Sequence, residues 1–225
     1  SSALGKAQLQ GRLVGVFVGI SVNEFVALLG TIPAGQSVFA ATGASLSVAS
    51  GRISYNLGLH GPCASYDTAC SSALICIHAG RRALQFSECS EGVAAGVNVM
   101  LSPLVCYGFA MAGMTSPHGR SHTFDNRADG YARSEACGAA NMREAGDEPT
   151  MNAFGVIGGA VRQDGRSASL TAPNGRAQQD LLRGAFADAG RVPSDLTAAE
   201  AHGTGTGLGD PMEAGSLSAV MLKDR

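Results

Sequence analysis

Tryptophan is absent from this sequence of 225 residues, and lysine occurs only at Lys6 and Lys223. The 16 basic residues are balanced by 18 acidic residues, which gives a formal net charge of −2. This balance forces no basic face, so a primary role in nucleic-acid binding is not expected. No apolar run reaches the roughly 18 residues that a membrane-spanning helix needs, so we expect no membrane span.

Signals for disulfides, secretion and metal binding are also missing. The six cysteines form no C-x-x-C pair, and there is no N-x-[ST] acceptor site. Reduced thiols in a cytoplasmic protein are therefore expected. His118 and His122 flank Gly119 and follow Pro117, which argues against a helical metal-binding pair. The start lacks the charged and apolar regions of a signal peptide. It also lacks an initiator Met, and the sequence stops at Arg225 inside an apparent helix, so we expect a piece of a longer protein.

The residues that are present predict one domain with a sizeable core. Hydrophobic residues make up 45% of the chain, and apolar runs predict buried strands at Leu13–Ile20, Val93–Met100 and Phe154–Val161. Helical patterns occupy Ser71–Phe86 and Arg176–Ala189, and Gly190 follows the second as a stop signal. Alternating strands and helices with glycine-rich joints indicate an α/β fold with a largely parallel sheet.

A cysteine stands where a short strand is expected to end and a helix to begin. In YDTACSS, residues 66–72, Cys70 occupies the turn beside the helix N-terminus. Unpaired N–H groups and the helix dipole at such a place favour a thiolate, and the turn exposes the sulfur as a nucleophile elbow does. Cys70 is a candidate nucleophile; the alternative is a small buried thiol, like Cys76 on the same helix.

A histidine lies in a glycine-rich loop near the end of the chain. In EAHGTGTGLGDPME, residues 200–213, we expect a strand end to deliver His202 into the loop. Asp210, Pro211 and Glu213 then fit the N-cap, N1 and N3 positions of a new helix. The glycine spacing matches no dinucleotide fingerprint, and no Walker lysine follows. The alternative is a tight loop with a capped helix and an incidental histidine.

The two candidates share a position in the predicted fold. Each is expected where a strand leads into a helix, and such strand ends carry the ligand crevice in open α/β sheets. Thr204 and Thr206 add hydroxyl groups to the second, and the segment 125–130 is a turn that could support the site. A cysteine and a histidine from different parts of the chain are the expected arrangement for covalent catalysis.

Six segments resemble, in order, segments of β-ketoacyl synthase (ketosynthase) domains. They are GRISYNLGLHGP (51–62), DTACSSAL (67–74), GVNVMLSP (96–103), FDNRADGYARSE (124–135), QDGRSASLTAPNGRAQ (163–178) and EAHGTGTGLGDPMEA (200–214). The ketosynthases of modular, type I polyketide synthases are the most similar, and those of animal-type fatty acid synthases are close behind. The resemblance spans nearly the whole chain.

The resemblance implies a thiolase-like fold, layered α/β/α/β/α, and usually a homodimer. Residues 1 to about 170 look like most of the N-terminal half, and residues from about 171 to 225 look like the beginning of the C-terminal half. It also implies that substrates are carried on the phosphopantetheine of an acyl carrier protein. The domain itself is then expected to bind no cofactor, and its parent chain to contain other synthase domains.

The resemblance also implies a decarboxylative Claisen condensation and a role for each candidate residue. Cys70 would hold the acyl group as a thioester, with its N–H in an oxyanion hole, and His202 would stabilise the enolate of a malonyl-type extender. Thr204 and Thr206 match threonines that contact the pantetheine arm. Two acidic residues match positions that support the site through hydrogen bonds: Asp210 and Glu213.

The resemblance leaves one part of the family's site outside the sequence. A second active-site histidine and a lysine would lie beyond Arg225, so the piece by itself is expected to be inactive. The alternatives are a fatty acid synthase ketosynthase, a non-condensing homologue that only binds carrier proteins, such as a chain-length partner, and an unrelated cysteine hydrolase. Retention of both Cys70 and His202 argues against the non-condensing homologue.

Overall fold

The structure is a computed structural model that describes residues 6–146 and 154–222. Packing divides the chain into two compact units. Within the described ranges, the first unit comprises residues 6–103 and 134–146, and the second comprises residues 104–133 and 154–222.

Four strands form the sheet of the first unit: β1 (Val14–Ile20), β2 (Cys63–Tyr66), β3 (Glu91–Asn98) and β4 (Ala136–Arg143). Their order is β2-β1-β3-β4. β1 is parallel to β2 and β3, whereas β4 is antiparallel to β3. The α/β class and the strands predicted at Leu13–Ile20 and Val93–Met100 are therefore confirmed, the second with a shift of two residues toward the N-terminus.

Helices connect the strands. The first unit contains α1 (Lys6–Leu9), α2 (Glu24–Leu29), α3 (Ala40–Ala44), α4 (Leu46–Leu57) and α5 (Ser72–Gln85), with a 3-10 turn at Pro33–Gln36. They are followed by α6 (Pro103–Met111), α7 (Gly175–Ala189), a 3-10 turn at Pro193–Asp195 and α8 (Gly209–Met221). The helices predicted at Ser71–Phe86 and Arg176–Ala189 are confirmed as α5 and α7. None of the helices described combines the length and apolarity needed to cross a membrane.

The central strand β1 is buried on both of its faces. On one face Phe17 packs with Cys76 and Leu84 of α5. On the other face Val16 belongs to a cluster with Leu59, against which partly buried residues of α4 pack. A parallel strand covered on both sides needs apolar residues at consecutive positions, which explains the unbroken run in the sequence.

Gly19, near the end of β1, lets the first turn of α5 lie directly against the strand. A Cβ at Gly19 would be 2.7 Å from the carbonyl carbon of Ser72 and 2.9 Å from the amide nitrogen of Ala73. Backbone atoms cannot move aside as a flexible side chain can, so only glycine fits here. This close approach fixes the position of the turn that precedes α5.

The strand predicted at Phe154–Val161 is wrong, because these residues form neither a strand nor a helix. The Gly159 N–H donates to Asp188 Oδ2 (2.9 Å), and Gly158 lies against Ala189, so the segment packs against the C-terminal end of α7. A strand requires a neighbouring strand for its N–H and C=O groups. The described part of the second unit contains no strand to pair with it.

Candidate active site

The turn between β2 and α5 carries Cys70, as predicted. Ala69, just before it, has φ +54°, a left-handed conformation that is uncommon for residues other than glycine. Hydroxyl groups hold this turn: Thr68 N–H donates to Ser72 Oγ (2.8 Å), which in turn donates to Ala69 O (2.7 Å). Ser71 Oγ donates to Thr68 O (2.9 Å). The turn thus places a residue of uncommon backbone conformation next to the cysteine, at a strand-to-helix junction like the one that carries the nucleophile in a nucleophile elbow.

His202 lies in an irregular segment, so the strand end predicted before it is wrong. Residues 198–206 form neither helix nor strand. The His202 N–H donates to Glu213 Oε1 (2.6 Å), and the Gly203 N–H donates to Glu213 Oε2 (2.8 Å). A side chain of α8 therefore satisfies backbone groups that a neighbouring strand would otherwise bind. One carboxylate holds the main chain on both sides of the His202 Cα, and the His202 side chain is exposed.

Asp210 lies inside the first turn of α8, not at its N-cap, so the N-cap and N3 positions predicted for Asp210 and Glu213 are wrong. The Asp210 side chain is buried and accepts hydrogen bonds from the N–H groups of Gly205 (3.0 Å) and Phe124 (2.6 Å). Both acids of α8 thus bind main-chain donors outside their own helix. Four N–H groups of the surrounding loops gain charged acceptors, which are stronger than the neutral acceptors a helix turn offers.

Thr204 and Thr206 lie side by side in the loop. Their hydroxyl oxygens are 3.1 Å apart, and both residues are half-buried. Thr206 Oγ1 also accepts a hydrogen bond from the N–H of Gly209, the first residue of α8 (3.1 Å). The Thr206 hydroxyl therefore satisfies the N–H of the first residue of α8.

A second segment of the same unit, residues 121–130, borders the His202 loop. Thr123 Oγ1 donates to Gly203 O (2.6 Å), and the Gly130 N–H donates to Gly205 O (2.9 Å). A Cβ at Gly205 would lie 2.9 Å from the amide nitrogen of His122. The absence of a Cβ at Gly205 thus allows the backbone of this segment to lie directly against the loop. Sequence reasoning identified residues 125–130 as a possible support but had no signal for Thr123.

Within the 121–130 segment, Asp125 and Arg127 form a local ion pair. Arg127 Nε and Nη2 each donate to the carboxylate of Asp125 at 2.9 Å, and the Arg127 N–H donates to it as well. These hydrogen bonds from Arg127 hold the pKa of Asp125 well below its usual range. The pair closes a turn at the surface.

The structure brings five of the six predicted site residues together. His202, Thr204, Thr206, Asp210 and Glu213 share the loop and α8 of the second unit, where hydrogen bonds link them. Cys70 belongs to the first unit.

Two sequence profiles match consecutive parts of the chain. The profile described as "Beta-ketoacyl synthase, N-terminal domain" matches residues 1–148, and that described as "Beta-ketoacyl synthase, C-terminal domain" matches residues 154–225. The chain belongs to the β-ketoacyl synthase family. The division near residue 170 that the resemblance implied stays a prediction.

This ketosynthase chain is similar to segments of large polyketide synthases. It is 41% identical to a mycocerosic acid synthase-like polyketide synthase of Mycolicibacterium smegmatis, over 99% of this chain and 11% of that protein. It is 43% identical to the pikromycin polyketide synthase component PikAII of Streptomyces venezuelae, over 97% of this chain and 6% of that protein. The chain therefore spans a small part of these relatives.

Solved ketosynthases share the fold. The ketosynthase from module 6 of the bacillaene synthase of Bacillus subtilis 168 superposes with a TM-score of 0.88 at 34% identity, over 98% of this chain and 38% of that one. The oxazolomycin ketosynthase domain OzmH KS7 of Streptomyces albus JA3453 gives a TM-score of 0.85 at 34% identity, over 97% of this chain and 38% of that one. The expected thiolase-like fold is confirmed.

The ketosynthase chain contains two kinds of thiol. Cys76 and Cys89 are buried in the core beside α5, and burial raises the pKa of both thiols. Cys70 is exposed, so the alternative of a small buried thiol is wrong for this residue. Buried, neutral thiols are poor nucleophiles, whereas an exposed thiol at a helix N-terminus is accessible to a substrate.

Proposed function

We propose that this chain is part of a polyketide-synthase ketosynthase in which Cys70 carries the acyl chain. The Cys70 thiolate attacks the thioester carbonyl of an acyl carrier protein, the phosphopantetheine thiolate leaves, and acyl-Cys70 forms. A malonyl-type group on a carrier protein then loses CO₂. The resulting carbanion attacks the acyl carbonyl, the Cys70 thiolate leaves, and a 3-oxoacyl group remains on the carrier.

The observation that carries this proposal is the exposed Cys70 beside the left-handed Ala69, at the N-terminus of α5. The N–H groups at a helix start stabilise negative charge, first on the sulfur and then on the carbonyl oxygen of the tetrahedral intermediate. The N–H of Cys70 itself is the donor we assign to that oxyanion.

His202 is proposed to donate a hydrogen bond to the carbonyl oxygen of the malonyl thioester. As CO₂ leaves, this oxygen gains the charge of the enolate, so the donor stabilises the transition state more than the ground state. The proposal is supported by the exposed imidazole and by the hold of Glu213 on its main chain. Thr204 and Thr206 would bind the pantetheine arm, while Asp210 and Glu213 would act through the loop.

The remaining expectations belong to the same proposal. The relatives reported above are polyketide synthases, which favours polyketide over fatty acid biosynthesis. An acyl carrier protein and other synthase domains of the parent chain would be the partners, in a cytoplasmic homodimer. The chain covers 38% of a solved ketosynthase, so we expect it to be inactive by itself.

The test uses the complete ketosynthase domain that contains this chain, with an acyl carrier protein bearing a radiolabelled acyl group. Cys70→Ala should abolish transfer of the label to the domain, whereas Cys137→Ala, at another exposed thiol, should not. His202→Ala should still load acyl groups and fail to form the 3-oxoacyl product. Label on the Cys70→Ala protein would contradict the nucleophile assignment, and equal loss of loading in His202→Ala would contradict the division of roles.

A further inference from the structure

The His202 loop contains two left-handed glycines that are held in the same way. Gly203 has φ +54° and Gly205 has φ +74°. Each donates its N–H to an acid of α8, Gly203 to Glu213 and Gly205 to Asp210. A carboxylate only accepts hydrogen bonds, so Asp210 and Glu213 cannot bind the carbonyl oxygens of these glycines, which need a donor from another part of the chain. That part is the 121–130 segment.

We propose that Thr123 is a positioning residue for His202; this inference rests on the proposed function. Thr123 Oγ1 donates to Gly203 O at 2.6 Å, while Glu213 Oε2 accepts from the Gly203 N–H at 2.8 Å. The two contacts bind the peptide groups on either side of the Gly203 Cα. Glycine alone adopts either sign of φ readily, so both peptide planes must be held to maintain one conformation.

The orientation of His202 depends on this conformation because the first of the two peptide planes includes the His202 carbonyl. If the hydroxyl of Thr123 is removed, the peptide group that follows Gly203 is free to rotate. Glu213 alone then holds the main chain at His202. The torsion angles of Gly203 are fixed from one side only, so the adjoining main chain of His202 shifts against Glu213 and the imidazole more often points away from the enolate oxygen. At the second glycine the carbonyl partner is the main-chain N–H of Gly130, which every substitution except proline retains.

Thr123 makes a second contact that can be separated from the first. A Cβ added to Gly203 would lie 2.6 Å from Thr123 Cγ2, and the next atom, Phe124 Cε2, would be 3.7 Å away. The methyl group therefore packs against the glycine while the hydroxyl binds its carbonyl. Thr123→Val keeps a methyl at this place and removes the hydroxyl, and Thr123→Ser does the reverse.

The kinetic test uses these variants in the complete ketosynthase domain. Thr123→Val should lower kcat for condensation about three- to tenfold, the effect of one hydrogen bond, with little change in KM or in acyl loading of Cys70. Thr123→Ser should keep most of the wild-type kcat. Thr31→Val is the matched control, since Thr31 Oγ1 donates to a main-chain carbonyl, Leu28 O, at 2.8 Å. It should leave kcat unchanged.

Wild-type kcat in Thr123→Val, or an equal decrease in loading and condensation, would overturn the positioning role. The packing contact has its own readout: Gly203→Ala should lower Tm, and adding Thr123→Ser should restore part of the loss. No restoration would overturn the contact. If the wild-type domain loads acyl groups but does not form the 3-oxoacyl product, the proposed function fails. A crystal structure of Thr123→Val then still tests the positioning role, and an unmoved Gly203 peptide and His202 imidazole would overturn the inference.

Discussion

Asp210→Asn isolates the contribution of one buried carboxylate to the site. Asp210 is 3% exposed, and its two oxygens accept hydrogen bonds from the N–H groups of Phe124 and Gly205. Asparagine has nearly the same shape but only one acceptor oxygen. Its amide NH₂ would face one of these N–H groups, so one charge-assisted hydrogen bond is lost and a buried donor remains without an acceptor.

The size of the effect follows from these two losses. A hydrogen bond to a charged group contributes about 1.5–3 kcal/mol, and an unsatisfied buried donor costs about 1–3 kcal/mol. Because the two terms overlap, we expect Asp210→Asn to lower the local stability of the loop by about 3 kcal/mol. That corresponds to roughly a 100-fold faster amide hydrogen exchange at Gly205 and Phe124.

Hydrogen exchange of the ketosynthase domain, resolved to these amides by NMR, measures this directly. Asp180→Asn is the control, because Asp180 is an exposed residue of α7 whose ion pair with Arg183 contributes little. Exchange in Asp180→Asn should stay near the wild-type rate. If Asp210→Asn exchanged no faster than Asp180→Asn, the assignment of this carboxylate as a support of the loop would be refuted.

Three further predictions concern other contacts of the chain. Gly19→Ala should lower stability to urea by about 2 kcal/mol, because its Cβ would overlap the backbone of α5. Arg127→Gln should raise the pKa of Asp125 toward its ordinary value, as followed by carbon-13 NMR of the carboxyl group. The pair therefore stabilises its turn above about pH 4 and less as the pH falls further. Cys76 should resist alkylation by iodoacetamide in the native protein, because it is buried and burial raises its pKa.

Each of these has a control. Gly138→Ala in β4 adds a Cβ with no atom within 4 Å, so it should not destabilise the domain. An unchanged titration of Asp125 in Arg127→Gln would contradict the ion pair. The exposed thiol of Cys137 should react before unfolding, and equal reaction of Cys76 would contradict its burial.

Elements whose signals are local could be predicted from the sequence. The apolar run of β1, the helical pattern of α5 and the stop of α7 at Gly190, with φ +60°, require only a few neighbouring residues. The turn that carries Cys70 is equally local, since the strand before it and the helix after it are adjacent in the chain. The family motifs added the roles proposed for Cys70 and His202.

Contacts between residues distant in the sequence were decided only by the tertiary structure. The apolar residues of Phe154–Val161 suit a strand, but a strand also needs a partner, and α7 lies beside them instead. Asp210 and Glu213 have the spacing of a capping box, yet Glu213 binds the His202 loop, and Asp210 binds both this loop and the 121–130 segment. A carboxylate accepts hydrogen bonds from whichever donors the fold brings close. The sequence shows where the carboxylates are, but it does not show which N–H groups will lie beside them. Thr123 is 80 residues from the carbonyl it binds, a separation that no local pattern spans.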